Sequence, residues 1–152
     1  MSMFKNLRKF FNSVFALTST AVTAGGTGDA TEITGATISL ATQSRRVASV
    51  EFEIPVRAVL SATETIVVVG KIETSPDNST WTALATNATL LTLTGGSGGT
   101  TETGVARIGC DVMQNNYQYI RVKVTPDMSK ANTDTAVVGA GVAILASSDQ
   151  QP

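Results

Sequence analysis

The sequence predicts an all-β fold: an antiparallel β-sandwich or jelly roll of about eight strands, with an N-terminal amphipathic helix and an extended arm. Apolar and polar residues alternate along several segments, which is typical of strands with one buried and one solvated face. Clusters of Gly, Pro, Asn, Asp and Ser separate these segments at short intervals. Of the 152 residues only 15% are charged, and threonine, which suits strands, supplies much of the polar surface.

Residues 1–17 show a helical pattern instead. Apolar residues recur at helical spacing on one side of this segment, and Lys5, Arg8 and Lys9 lie on the other. A helix this short is marginal in isolation, so its apolar stripe needs a surface to cover it. The sequence therefore predicts a helix that docks on a partner through Met3, Phe4, Leu7, Phe10, Phe11, Val14 and Phe15.

Two other interpretations of this segment stay open. A basic, amphipathic helix can lie in a membrane interface, here with Phe4, Leu7, Phe10 and Phe11 in the lipid. A basic start followed by apolar residues can also be a cleaved secretory signal. Polar residues interrupt the apolar stretch, however, so we expect a protein that is not secreted.

Residues 18–36 read as an extended arm. This tract consists mainly of Thr, Ala and Gly, and its glycines at 25, 26 and 28 break any regular element. A Gly-rich arm holds one conformation only where something pins it, and in an assembly that is often a neighbouring subunit.

Residues 37–148 form the predicted sandwich domain. Its clearest alternation is at 47–60, where Val50, Phe52 and Ile54 are separated by Glu51 and Glu53. The final strand is rich in Val, Ala and Gly and is expected to be buried on both faces. The predicted strands are 37–42, 47–60, 64–74, 80–84, 88–94, 104–113, 117–125 and 135–146.

The sequence carries no sign of catalysis. It contains no histidine, which excludes Ser-His-Asp and Cys-His schemes and removes the commonest metal ligand. Glu51 and Glu53 share one strand face, a pattern more typical of a solvated surface than of a carboxylate pair for glycoside hydrolysis. We therefore expect no enzyme activity, no cofactor and no metal site. A net charge of −1 also gives no general attraction to nucleic acid.

Two sequence segments in the domain resemble a known group of proteins. The run SPDNSTWTALAT at 75–86, followed by YQYIRVKVTPD at 117–127, is similar to a pattern in small β-sandwich structural proteins of tailed bacteriophages. These include head decoration (cement) proteins and minor capsid proteins; Asn78 stands where the pattern often has Gly. The resemblance implies a virion protein, made in the host cytoplasm, that oligomerises and contacts other capsid proteins.

An alternative interpretation is a carbohydrate- or receptor-binding module of a spike or adhesion protein. Aromatic and cationic side chains on an exposed strand face can stack on sugars or bases. The candidate ligand-binding face comprises Trp81, Tyr117, Tyr119 and Arg121. A membrane-associated virion component is a third interpretation, based on the N-terminal helix.

Overall fold

The computed structural model describes residues 10–43, 46–112 and 117–147. This part of the chain is built of antiparallel strands, which confirms the all-β prediction. The strands are β1 Phe11–Leu17, β2 Thr20–Thr23, β3 Ile33–Thr34, β4 Ile38–Ser39, β5 Val47–Leu60, β6 Thr65–Ser75, β7 Thr82–Thr94, β8 Thr100–Asp111, β9 Tyr119–Met128, β10 Thr135–Val138 and β11 Gly141–Ser147.

Several short strands lie end to end in pairs, and each pair occupies one strand position in a sheet. β1 and β2 run along β11 and β10, and β10 and β11 in turn both pair with β5. β3 and β4 both pair with β9. The described strands therefore follow eight paths: β1/β2, β3/β4, β5, β6, β7, β8, β9 and β10/β11. The predicted strands are not the same eight, because β1/β2 was predicted as a helix and an arm and β7 as two strands.

The eight paths form two four-path sheets. Sheet A has the order β1/β2, β10/β11, β5, β8, and sheet B has the order β3/β4, β9, β6, β7. Numbered along the chain, path one pairs with eight, two with seven, three with six and four with five. This is a long antiparallel ribbon rolled up on itself, which is the topology of a jelly roll.

One hydrophobic core lies between the sheets. Phe52 and Ile54 of β5 are fully buried, and so are Ile120 and Val122 of β9 and Ile72 of β6. These residues belong to one cluster that draws on both sheets. The alternation seen in the sequence places them there, since side chains along a strand point to opposite faces.

The helix prediction is wrong for its second half. Phe11–Leu17 is a strand whose backbone pairs with β11 from Ala146 to Gly141. A register shift between Phe15 and Leu17 lets the consecutive residues Ala16 and Leu17 both be fully buried. Pairing satisfies the backbone groups of both strands and buries these side chains, which an isolated helix would not do. Residues 1–9 lie outside the described residues.

The predicted arm is largely part of the sandwich itself. β2 pairs with β10 and β3 pairs with β9, so the chain's own strands hold residues 20–23 and 33–34. Between them the Asp29 carboxylate accepts hydrogen bonds from the backbone N–H of Gly25 (2.6 Å) and Met128 (2.8 Å). These contacts hold the Gly-rich stretch without a neighbouring subunit.

Strand boundaries differ from the predictions where the alternation is broken. β7 is one continuous strand across the predicted gap between 80–84 and 88–94. Its register with β6 shifts three times, and because each shift interrupts the alternation of apolar and polar residues, the sequence pattern suggested two strands. β9 continues past Pro126 to Met128. The last path is not buried on both faces, because Val137 and Val142 are exposed on the outer face of sheet A.

Candidate assembly surfaces

Large exposed apolar side chains collect on one side of the molecule. Within the described residues, six large hydrophobic side chains are 37–55% exposed, and all six belong to strands of sheet A. Cross-strand pairing places Phe15 opposite Val142 and puts the other members at positions of the same outward face, so they point away from the core. We call this surface the apolar face; its members are Phe11, Phe15, Val59, Val105, Val137 and Val142.

A β-bulge shapes the centre of the apolar face. Val138 pairs with Val56 and Val142 with Glu53, so three residues of the β10/β11 path oppose two of β5. Pro55 lies at this point, where a strand tolerates a residue that lacks an N–H donor. Its carbonyl oxygen accepts a 2.7 Å hydrogen bond from the Gly139 N–H.

The bulge leaves a shallow groove of ≈ 490 Å³ on the apolar face. A Cβ at Gly139 would lie 3.0 Å from Cγ of Pro55, so a side chain there would crowd the wall of the groove. The groove is lined by Pro55, Val56, Arg57, Thr103, Gly104, Val105, Val137 and Gly139.

The predicted docking residues divide between three locations. Phe11 and Phe15 are 49% and 55% exposed and belong to the apolar face, whereas Phe10 and Val14 are half-buried. Met3, Phe4 and Leu7 lie outside the described residues. A docking role for this set stays a prediction.

The outer face of sheet B carries a network of ion pairs instead. Glu73 on β6 accepts a hydrogen bond of 2.8 Å from Nε of the Arg121 guanidinium, and its other oxygen lies 3.5 Å from Nζ of Lys123. Lys123 also contacts Glu32 at 2.7 Å, and Lys71 contacts Glu32 at 2.8 Å. The network joins the β2–β3 connection to two strands of the sheet.

The network holds its carboxylates in the charged form. Burial by itself raises the pKa of Glu73, but the hydrogen bond from Arg121 and the charges of Lys123, Arg121 and Lys71 outweigh burial, and the net pKa is lowered. Hydrogen bonds from Lys123 and then Lys71 lower the pKa of Glu32. These groups therefore remain ionised well into the acid range.

The candidate ligand-binding face is only partly brought together. The guanidinium carbon of Arg121 lies 3.8 Å from the ring centroid of Trp81, a cation–π contact that covers one face of the indole. Tyr119 lies on the same side of β9 as Arg121, two residues away. Tyr117 lines a separate pocket with Arg46 and others. The sequence did not reveal that Arg121 covers Trp81, and ligand binding there stays a prediction.

The described residues offer no evident catalytic or metal-binding arrangement. No group of three His, Cys, Asp or Glu side chains is placed to hold a metal ion in this part of the chain. Glu53 is ion-paired with Arg107 at 2.8 Å, and Glu51 is exposed beside it. Burial raises the pKa of the Cys110 thiol to about 11, which disfavours the reactive thiolate. Among the described elements there is also no helix with the length and apolarity needed to cross a bilayer.

Comparisons with known proteins add evidence on the fold. No protein-family profile matches the sequence, and no curated protein is significantly similar to it. Two solved structures of infectious bursal disease virus are similar in fold. Over 93% of this chain the Gx strain structure matches with a TM-score of 0.52 at 11% identity, and the Gt strain structure with 0.50 at 13%.

The chain spans about a third, 34%, of the length of each viral chain. At such low identity the likeness concerns the fold alone, a β-sandwich architecture also present in a virus particle protein.

Proposed function

We propose that this chain is a non-enzymatic structural subunit of a virus particle, which assembles with further copies of itself and with other capsid proteins. Jelly rolls occur in viral capsid domains, lectins and cupins. The likeness in fold to chains of a virus structure favours the first of these classes. The absence of histidine disfavours a cupin metal centre.

The observation that carries the proposal is the apolar face. Soluble monomers rarely expose large contiguous apolar patches, and such patches mark surfaces that bind protein or membrane. Here every large exposed hydrophobic residue of the described chain is on one sheet, and the opposite sheet is covered by ion pairs. A subunit that packs against other subunits accounts for this asymmetry.

A finer form of the proposal is a head decoration (cement) or capsid-associated protein of a bacteriophage. It is supported by the resemblance of 75–86 and 117–127 to tailed-phage structural proteins. In this form residues 1–9, which carry Met3, Phe4 and Leu7, dock on a capsid partner beside Phe11 and Phe15. The protein would then be located in the virion.

The test is the assembly state of the purified full chain. Mass photometry across a concentration series, followed by negative-stain electron microscopy, is expected to show multimers of defined stoichiometry. A chain that stays monomeric at every concentration and joins no capsid would contradict the proposal.

A glycan-array screen separates this function from the carbohydrate-binding alternative. The structural role predicts no specific glycan, for the native chain and for a Trp81→Ala variant alike. Specific binding that Trp81→Ala abolishes would favour the alternative.

A further inference from the structure

The outer face of sheet A has the dimensions of a stable protein interface. Four strand paths spaced about 4.8 Å apart, each about twelve residues long at about 3.3 Å per residue, cover roughly 800 Å². A standard interface buries about 800 Å² on each partner. The apolar face has members on all four paths, and the groove at Pro55, beside the Glu53–Arg107 ion pair, lies near the middle of this area.

The charges of Glu51 and Arg57 on β5 lie on either side of this groove, and the pattern they form is self-complementary. Glu51 and Arg57 are both exposed on this face, six residues apart, which is roughly 20 Å along a strand. In the described part of the chain neither forms an ion pair within 4 Å; Arg107 is paired with the neighbouring Glu53, and Glu51 acts on it only through its charge. The midpoint between them is Ile54, next to the groove.

A second copy of the chain matches this pattern in one orientation. If two copies pack face to face with their β5 strands antiparallel, a two-fold axis passes near Ile54 and Glu51 of each copy faces Arg57 of the other. The grooves at Pro55 of the two copies then face each other. With parallel β5 strands, Glu51 would face Glu51 and Arg57 would face Arg57, which is repulsive.

We infer that the outer face of sheet A is the contact between two copies of this chain, packed with their β5 strands antiparallel. The inference deepens the proposed function, because it names the surface and the partner for one of the contacts in the assembly. An interface of this kind is isologous: the same patch serves on both subunits.

The first experiment tests the surface. The dissociation constant of the full chain is measured by sedimentation equilibrium, for the native protein and for Val142→Asp. Val142 lies between Phe15 and Glu53 on the neighbouring strands, so a buried aspartate there has no cation opposite it and is expected to raise the dissociation constant at least tenfold. Val69→Asp is the matched control, since Val69 points outward from sheet B; it should leave the dissociation constant within about twofold.

The second experiment tests the partner and the orientation. Glu51→Arg and Arg57→Glu are each expected to weaken self-association at least tenfold, because each places like charges opposite one another. An equimolar mixture of the two variants is expected to associate about as well as the native chain, since both contacts are again attractive. Thermal unfolding of each variant checks that it is folded.

The outcomes separate this inference from the proposed function. If the native chain assembles and Val142→Asp assembles equally well, the inference is overturned and the structural role stands. If neither Glu51→Arg nor Arg57→Glu raises the dissociation constant, the antiparallel contact is overturned. If the chain pairs through this face but never joins a particle, the inference stands and the proposed function fails.

Discussion

Two glutamate–arginine pairs, one on each sheet, show how differently the two outer faces are built. Glu53 lies directly opposite Arg107 across β5 and β8, and Glu73 lies directly opposite Arg121 across β6 and β9. Both contacts are short, at 2.8 and 2.7 Å. The side chains of the first pair are 32% and 57% exposed, whereas those of the second are 12% and 19% exposed.

The difference comes from the neighbours of each pair. Around Glu73, two lysines lie within 3.6 Å and Trp81 stacks on Arg121, so the polar groups of sheet B are satisfied by the chain itself. Around Glu53 the neighbours on this face are Arg107, Val142, Glu51 and Pro55, and in the described chain Arg107 is the cation that pairs with it. The side chains of the sheet B face therefore pair with one another, whereas the sheet A face keeps its large apolar side chains exposed.

The largest expected effect on stability comes from removing the Glu73 carboxylate on sheet B. Glu73→Ala should lower the free energy of unfolding by about 3 kcal/mol, because it leaves the largely buried guanidinium of Arg121 without its carboxylate, whereas Lys123 keeps Glu32. Urea denaturation at one fixed protein concentration measures it. A double-mutant cycle with Arg121→Ala should give a coupling energy above about 1 kcal/mol. A loss below about 0.5 kcal/mol would mean that solvent screens this network.

A smaller effect is expected from acid. The folded-state pKa of Glu73 lies below its ordinary value of 4.5, so folding favours the ionised form. The resulting stability is fully present above about pH 5 and is lost as the pH falls through the lowered pKa. The free energy of unfolding should therefore decrease as the pH falls below about 5, with a shallower decrease in Glu73→Ala. An identical pH slope in the variant would contradict the assignment to Glu73.

The smallest effect is expected from the equivalent change on sheet A. Glu53→Ala should change the free energy of unfolding by less than about 0.5 kcal/mol, because exposed ion pairs contribute little. The same urea titration serves, so the two variants differ only in which face they alter. Equal losses for Glu53→Ala and Glu73→Ala would remove the distinction between the two faces.

The strands with the strongest alternation could be predicted because their pattern repeats over many residues. β5 begins and ends where the sequence predicts, and its inward set of Phe52 and Ile54 is fully buried. β7 was predicted as two pieces, because three register shifts interrupt a pattern that sequence analysis expects to be continuous. Bulges depend on the partner strand, so a single segment does not show them.

The segment from Phe11 to Leu17 shows why the first prediction failed. Phe11 and Phe15 are four residues apart, a spacing close to one helical turn and also an even number of strand positions. Both side chains therefore fall on one face whether the segment is a helix or a strand. Their exposure fits the predicted apolar stripe, although the backbone that presents them is β1.

The sequence by itself determined that the chain is all-β, that its central strands have one apolar face, and that it lacks the residue types for histidine-based catalysis, because these properties depend on local periodicity and composition. The tertiary structure decided that β1 is a strand, since its hydrogen-bonding partner β11 lies about 130 residues away in the chain. It also decided which outer face stays open. That outcome depends on the ion pairs of Glu73 with Arg121 and of Glu32 with Lys123, which form only when the ribbon is rolled into two sheets.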